Sequence, residues 1–152
     1  MISIEIKKLR EGARIPERAT SGSAGMDLRA SINTGFTLIE PGEWKIIPTG
    51  IAIQLPESTD EKMYFGGVYS RSGLARKNGI HVLNAPGVID EDYTGEIGVI
   101  LKNDSKVPFK VCDGDKIAQL IIHEIVKTEF KEVTEFSRTT ERGEGGFGHT
   151  GK

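Results

Sequence analysis

The segment "ISIEIKKL" (residues 2–9) alternates apolar and polar side chains from its first residue. Ile2, Ile4 and Ile6 stand at every second position, and the residues between them are polar. Successive side chains of a β-strand point to opposite faces of the sheet. This period of two therefore predicts a strand with one face on the core and the other in solvent.

The same period continues along the chain and predicts the fold class. "GIAIQL" (residues 50–55) repeats it, whereas "EIGVIL" (96–101) and "KIAQLIIHEIV" (116–126) are denser in apolar residues and predict strands buried on both faces. Turn signals separate these segments at short spacing: Glu40-Pro41-Gly42, Pro48-Thr49-Gly50, Pro86-Gly87, Thr94-Gly95 and Asp113-Gly114-Asp115. Many short strands of this kind predict an all-β fold, either an antiparallel sandwich, a jelly roll or a barrel.

One segment, "RSGLARKNG" (residues 71–79), departs from this period and predicts a short helix. Ser70 or Ser72 can cap its N-terminus, and Gly79 is placed to end it in the left-handed conformation. Arg71, Ser72 and the Gly73 amide stand at the helix start, where unpaired N–H groups favour an anion. An ordinary serine cap explains the same residues without a ligand.

Composition and charge exclude several classes of protein. The 152 residues suit one domain, and the net charge of −2 gives no basic surface for a nucleic acid. Cys112 is the single cysteine, which excludes an internal disulfide and a cysteine zinc site. The N-terminal sequence has no apolar signal region, and no apolar run reaches membrane-spanning length. We expect a cytoplasmic protein that binds neither nucleic acid nor membrane.

The C-terminal sequence, "RGEGGFGHTGK" (residues 142–152), is rich in glycine. The apolar pattern stops after Phe136, so we expect a folded domain of residues 1–136 and a flexible C-terminal arm of residues 137–152. Two phosphate-binding patterns are partly matched in this arm, but neither is followed by the helix that it requires. The arm is either a disordered terminus or a clamp, in which glycine amides and an arginine meet an anion and Phe147 stacks on a base.

The segment "LNAPGVIDEDYTGEI" (residues 83–97) combines a turn with an acidic run. Its Ala-Pro-Gly-Val predicts a type II turn at the tip of a hairpin, where backbone groups and the Asn84 amide suit the edge of a planar base. Asp90 and Asp92 lie on one face if the backbone stays extended, and one of them could act as a general base. Tyr93 could pack against a sugar. The alternative is a solvated acidic turn.

Two polar residues interrupt apolar strands. Gln119 lies in "GDKIAQLII", and Asp27 lies in "AGMDLRA". A buried polar side chain needs hydrogen-bond partners, so each residue either completes a structural network or points into a site.

In order and spacing, five segments resemble the five motifs of the homotrimeric dUTP pyrophosphatase (dUTPase) family: "AGMDLRA", "SRSGLA", "GVIDEDYTGEI", "GDKIAQLII" and "RGEGGFGHTG". The resemblance covers residues 24–151. It implies a jelly roll or distorted barrel that forms a homotrimer, with active sites at the subunit interfaces and the C-terminal arm closing over them. It also implies water attack on the α-phosphorus of dUTP to give dUMP and pyrophosphate, which limits uracil in DNA and supplies dUMP for thymidylate synthesis.

The resemblance assigns roles on the base and sugar side. Asp90 matches the acid that activates the attacking water, and Tyr93 matches the aromatic residue that packs under the deoxyribose. Asn84 matches an amide that contacts uracil. Backbone groups of the hairpin complete this contact, at Gly87, Val88 and Ile89.

The resemblance also assigns roles around the phosphates. Arg71, Ser72 and Gly73 match phosphate contacts, and Gln119 matches a contact near the α-phosphate and the attacking water. Asp27 matches an acid that holds metal-bound water. Mg²⁺ is expected on the substrate phosphates and waters without a direct protein ligand, because phosphates and waters suit this ion and the three histidines are scattered in the sequence.

In the arm, Arg142 and Thr150 match contacts to the γ-phosphate, and Phe147 matches the residue that stacks on uracil. Gly148 and His149 complete the substrate-binding set. His149 departs from the serine common in the family, which bears on the closed geometry of the arm and on its pH dependence.

Three alternatives remain open at this level. The related dCTP deaminases share the fold and the trimer, but they need a pocket for a 4-amino group. A nucleotide-sensing regulator would bind dUTP without turnover and dock a protein partner, and a regulatory partner is also possible for an active enzyme. A structural β-sandwich would bind no nucleotide.

Overall fold

The computed structural model describes residues 2–146, and antiparallel strands make up most of its regular structure. The strands are β1 (Glu5–Lys8), β2 (Glu17–Arg18), β3 (Met26–Arg29), β4 (Phe36–Ile39), β5 (Trp44–Pro48), β6 (Ile51–Gln54), β7 (Lys62–Tyr69), β8 (Ile80–Val82), β9 (Gly87–Ile89), β10 (Gly98–Asn103), β11 (Phe109–Cys112) and β12 (Lys116–Val126). Within residues 2–146 the one helix is α1 (Ser72–Asn78). The all-β class with a short helix is therefore confirmed.

The strands pair into four open sheets, and every pair is antiparallel. The largest sheet has five strands in the order β2-β3-β12-β7-β9, and a three-stranded sheet has the order β5-β10-β8. Two further pairs are β1-β6 and β11-β4. One apolar cluster receives residues from all four sheets, including Leu28, Ile39, Ile47, Ile53, Val99, Val111 and Leu120.

The alternation that opens the sequence is confirmed as a strand from Glu5 to Lys8 only, because Ile2 lies before the strand and is 44% exposed. The denser segments are not buried on both faces. β1 pairs with β6 so that Ile6 lies opposite Ile53, and both residues belong to or pack against the core. In β10, Val99 is buried and Gly98 is exposed. The prediction of two buried faces is wrong because these strands cover the core from one side only, and β12 ends with Val126 76% exposed.

Helix α1 ends as predicted but begins differently. Gly79 has a φ of 65°, in the left-handed region, and its N–H donates to the Ala75 carbonyl. The residue before the helix is Arg71, which makes no side-chain capping bond, so the predicted serine cap is not formed. The Ser70 hydroxyl instead accepts a hydrogen bond from the Val82 N–H at 2.9 Å.

The predicted hairpin around Pro86 is also wrong. β8 pairs with β10, and β9 pairs with β7, so the strands on either side of this turn belong to different sheets. A type II turn would need a positive φ at Gly87, which this glycine does not have. Residues 83–86 therefore form a loop that connects two sheets, and we call it the crossover loop.

Beyond Val126 the described chain has neither helix nor strand, and residues 127–144 are exposed. We call residues 127–136 the connecting segment. The domain boundary at residue 136 remains a prediction. Regular structure ends ten residues earlier, at Val126, and does not mark that boundary. Among the described residues, no helix is long and apolar enough to cross a membrane.

Candidate active site

The five-stranded sheet places two of the predicted site residues side by side. Gln119 in β12 lies opposite Asp27 in β3 and opposite Tyr69 in β7. Directly opposed residues of antiparallel strands project from the same face. Asp27 and Gln119, far apart in the sequence, thus emerge together next to the start of α1.

Gln119 is fixed in position by its neighbours. Its Nε2 donates to the Ser70 carbonyl at 2.9 Å. Its side chain also packs closely on Gly25, where a Cβ would lie 3.0 Å from Cδ and 3.1 Å from Cβ of Gln119. The Ser70 hydroxyl also accepts from the N–H of Val82, the last residue of β8, which directly precedes the crossover loop. Ser70 therefore joins the phosphate-side residues to the loop expected to contact the base.

Asp27 holds two cations, one on each carboxylate oxygen. Arg71 Nε lies 3.0 Å from Oδ1, and Lys116 Nζ lies 2.6 Å from Oδ2. The Asp27 side chain is only 13% exposed. Burial raises the pKa of Asp27, but the hydrogen bond from Lys116 and the charges of Arg71 and Lys116 outweigh it, so the pKa lies below its ordinary value of 3.8.

Sequence reasoning missed Lys116. Simple alternation along β12 puts residues 116 and 119 on opposite faces. The register shifts between Lys116 and Ala118, so that Lys116 lies opposite Arg29 while Ala118 lies opposite Leu28. This bulge turns Lys116 to the face of Asp27. No signal in the sequence marks the bulge.

Ser72 and Gly73 are the first residues of α1 and are exposed next to the half-buried Arg71. The first N–H groups of a helix have no acceptor within the helix, so they remain available for an outside acceptor. Arg71 also donates from Nη1 to the Lys116 carbonyl at 3.4 Å. The structure thus brings Asp27 together with Arg71, Ser72 and Gly73, as the resemblance implies. Lys116 lies with them, although the resemblance gives it no role.

The crossover loop carries Asn84 at the protein surface. A Cβ on Gly87 would lie 3.2 Å from Asn84 Nδ2, which shows that the amide lies over this buried glycine. Val88 follows with 56% of its surface exposed, and Ile89 packs against the core. Asn84 and Val88 therefore present an amide and an apolar side chain at one edge of the five-stranded sheet.

The acidic run forms a turn and is not extended. The Tyr93 N–H donates to the Asp90 carbonyl at 3.2 Å, so the extended backbone that would put Asp90 and Asp92 on one face is not formed. Glu91 accepts hydrogen bonds from both the N–H and the hydroxyl of Ser58, and these bonds lower the pKa of Glu91. Asp90 is exposed and has no side-chain hydrogen bond within the described part of the chain.

Tyr93 is fixed against the backbone that follows it. Its hydroxyl donates to the Glu96 carbonyl at 2.8 Å, and its ring lies over Gly95 so closely that a Cβ there would come within 3.0 Å of Cε2. The ring remains 44% exposed. It can therefore offer a fixed flat surface to a ligand.

The described part of the arm, residues 137–146, does not join this set. Arg142 donates from Nε to the Gly145 carbonyl at 2.8 Å, a contact within the arm itself. Four predicted substrate-binding residues lie outside the described residues: Phe147, Gly148, His149 and Thr150.

Gly25→Ala should lower kcat for the dUTP hydrolysis that the resemblance implies by about tenfold, because the added methyl group must displace Gln119 and break its bond to Ser70. Steady-state kinetics will measure the effect. Gly22→Ala is the matched control, because a Cβ at Gly22 meets no atom within 4 Å. Equal kinetics for the two variants would show that the position of Gln119 does not matter.

Asp27→Asn should lower the free energy of unfolding by about 2 kcal/mol at neutral pH, because Arg71 and Lys116 would lose a charged acceptor. The folded-state pKa of Asp27 is lowered, so this stability is fully present above 3.8 and is lost as the pH falls through the lower folded value. Urea unfolding of the intact chain and the variant between pH 7 and pH 3 should show that the difference in their free energy of unfolding shrinks only at the acid end. A difference that does not depend on pH would contradict this.

Comparisons with known proteins extend over nearly the whole chain. The family model described as dUTPase matches residues 11–151. A Clostridium tetani protein named deoxyuridine 5'-triphosphate nucleotidohydrolase is 47% identical over 150 residues, with 99% of this chain and 97% of that protein covered. A protein of the same name from Alkaliphilus metalliredigens is 48% identical over 151 residues, with 99% of each covered.

Solved structures give the same result. The Staphylococcus bacteriophage 80alpha dUTPase with dUPNHPP has a TM-score of 0.87 at 30% identity, with 100% of both chains covered. A mutant dUTPase from phage phi11 of S. aureus, described with a structural Mg(II) ion, has a TM-score of 0.79 at 29% identity, with 90% of this chain and 100% of that chain covered.

Proposed function

The chain belongs to the dUTPase family, and from that premise we propose how its residues hydrolyse dUTP. It has the jelly-roll fold of the family, and it is a hydrolase that converts dUTP to dUMP and pyrophosphate. The observation that carries the assignment of residues is the arrangement in which Asp27 binds Arg71 and Gln119 binds the adjacent Ser70, whose hydroxyl accepts from Val82 next to the crossover loop.

Asp90 is the general base of the reaction. Its exposed carboxylate accepts a proton as water attacks the α-phosphorus, the new P–O bond forms, and the bond to the bridging oxygen breaks to release pyrophosphate. The exposure of Asp90 supports this role, because Glu91 beside it is already engaged by Ser58. Gln119 orients the α-phosphate or the attacking water from its fixed position on Gly25.

Selectivity for a deoxyuridine arises at the crossover loop and at Tyr93. The Asn84 amide and backbone groups of Gly87, Val88 and Ile89 contact the edge of uracil, where a thymine methyl group would clash. The fixed ring of Tyr93 packs under the deoxyribose and leaves no space for a 2′-hydroxyl group.

The phosphates bind at the start of α1. Arg71 supplies a positive charge, and Ser72 and Gly73 supply hydrogen-bond donors. Mg²⁺ accompanies the substrate phosphates and neutralises their charge. Both oxygens of Asp27 face cations, which suits contact with metal-bound water rather than direct ligation. In the arm, Arg142 and Thr150 contact the γ-phosphate, and Phe147 stacks on uracil with Gly148 and His149 beside it.

The enzyme works as a cytoplasmic homotrimer with an active site at each subunit interface. The connecting segment supports this assembly, because Phe130 is 99% and Phe136 is 90% exposed within a single chain. Aromatic side chains are enriched in the buried centre of protein interfaces. A second copy of the chain supplies that surface, and the arm that follows then closes over a neighbouring site.

Phe130→Ser should weaken the assembly, because truncating a buried aromatic side chain at an interface costs about 2 kcal/mol or more. Sedimentation velocity over a range of concentrations will measure the shift from trimer to monomer. Val107→Ser is the control, since Val107 is 64% exposed outside the connecting segment. A wild-type chain that is monomeric at all concentrations would contradict the trimer.

The function itself is tested by release of pyrophosphate and of ammonia from dUTP, dCTP, dTTP and UTP with Mg²⁺. We expect pyrophosphate from dUTP alone and no ammonia from dCTP. Ammonia from dCTP would identify a deaminase, and tight binding of dUTP without pyrophosphate would identify a sensor.

A further inference from the structure

Lys116 stands at a β-bulge beside the phosphate-binding residues. The shift of register between Lys116 and Ala118 sets two residues of β12 against one of β3 and turns Lys116 to the face that carries Asp27. Bulges occur often next to active sites, where they redirect a side chain. Here the redirected group is an ammonium that lies 2.6 Å from Asp27 Oδ2.

Lys116 contacts the phosphate-binding arginine by two routes. Its side chain shares the Asp27 carboxylate with Arg71, and its backbone carbonyl accepts from Arg71 Nη1 at 3.4 Å. Nε of Arg71 is also engaged, by Asp27 Oδ1. These contacts fix one side of the guanidinium, and its remaining N–H groups are left to bind an outside oxygen.

We propose that Lys116 is a positioning residue for triphosphate binding, which holds Asp27 and Arg71 in place and leaves their cluster with a net positive charge. The proposal rests on the phosphate-binding role of Arg71 proposed above. Two cations and one carboxylate give the cluster a charge of about +1, and loss of Lys116 would bring it to about zero.

The surroundings of the cluster support an electrostatic role. Arg71 and Lys116 line an open cavity of about 370 Å³. Arg29 and Asp115 line this cavity too, so three of its four charged side chains are cations, and the side chains of Arg71 and Lys116 are 32% and 34% exposed. Positive charge that lines a cleft raises the local potential and attracts anions.

The test compares Lys116→Gln, Lys116→Met and Lys116→Arg with the intact chain. Binding of dUpNHpp, a triphosphate analogue, and of dUMP is measured by calorimetry with Mg²⁺, beside steady-state kinetics. Lys62→Gln is the matched control, because Lys62 pairs with Glu124 at 3.1 Å on the same sheet, away from the cluster, and is 48% exposed against 34% for Lys116. Arg71→Lys tests the proposed function on its own.

We expect the two neutral variants at Lys116 to bind dUpNHpp about tenfold more weakly than the intact chain and to have a KM for dUTP that is raised by a similar factor. Their affinity for dUMP should change by less than about twofold, because dUMP carries less charge. Lys116→Arg should restore binding, and Lys62→Gln should bind as the intact chain does. Unchanged dUpNHpp binding in the folded neutral variants overturns the proposal, as does equal loss for both nucleotides. Unchanged binding in Arg71→Lys would overturn the proposed role of Arg71 instead. If Lys116→Gln does not fold, binding to Lys116→Met tests the proposal. If neither variant folds, Lys116 acts in the stability of the fold and the proposal is overturned.

Discussion

Replacing Asp90 by asparagine is expected to lower kcat for dUTP hydrolysis by about 10²- to 10⁴-fold, the range for loss of a positioned general base. Asparagine has nearly the same shape but cannot accept the proton of the attacking water. Because Asp90 is exposed and its carboxylate has no hydrogen bond within residues 2–146, the fold and nucleotide binding should be retained. Single-turnover kinetics at saturating dUTP will measure the chemical step directly.

The two neighbouring acids provide the controls. Asp92→Asn removes an exposed carboxylate from the same turn and should leave kcat within about twofold. Glu91→Gln weakens the contact with Ser58 and should act mainly on the stability of this turn. A larger loss of kcat for Asp92→Asn than for Asp90→Asn would move the base to Asp92 and contradict the role given to Asp90.

A chain that stops before Arg142 is expected to lose about 10²-fold in kcat/KM, because a closing arm orients the substrate and excludes water. The described contacts of Arg142 and Gly143 are local to the arm, so the folded domain should not depend on them. Kinetics and thermal unfolding of the shortened chain will separate activity from stability.

The shortened chain retains Phe130 and Phe136, so its assembly can be compared directly with that of the full chain. Phe147→Ala in the full chain is the finer test, because it removes only the proposed stacking on uracil. Intact turnover after truncation would mean that the arm has no part in catalysis. The roles proposed for Arg142, Phe147 and Thr150 would then be wrong.

The sequence predicts local structure well where one side of a strand meets the core. The alternation in β1 and the left-handed glycine after α1 follow from backbone geometry alone, and both are found. The high density of apolar residues in β10 and β12 predicts burial on both faces, and this prediction is wrong. An apolar residue such as Ile100 or Ile125 can also lie on the outer face of a sheet.

The pairing of strands that lie far apart in the sequence could not be predicted from the sequence. The sequence of the crossover loop predicts a hairpin because that prediction uses only the turn residues themselves. The strands with which β8 and β9 pair are set by the whole fold. Ser70 looked like a helix cap and instead binds the Val82 N–H. Asp27 and Gln119 were found as polar interruptions in apolar strands, but Lys116 depends on a bulge that its own sequence does not reveal.

The crossover loop also limits how the specificity of this enzyme can be altered. β8 and β9 are anchored in different sheets, so adding or deleting a residue between them would move the Asn84 amide relative to Gly87 and Val88. A change in preferred base should therefore come from substitutions at positions such as Asn84 or Val88, with the loop length held constant. Libraries for redirecting the enzyme to other pyrimidines should randomise side chains here and leave insertions to the exposed turns elsewhere.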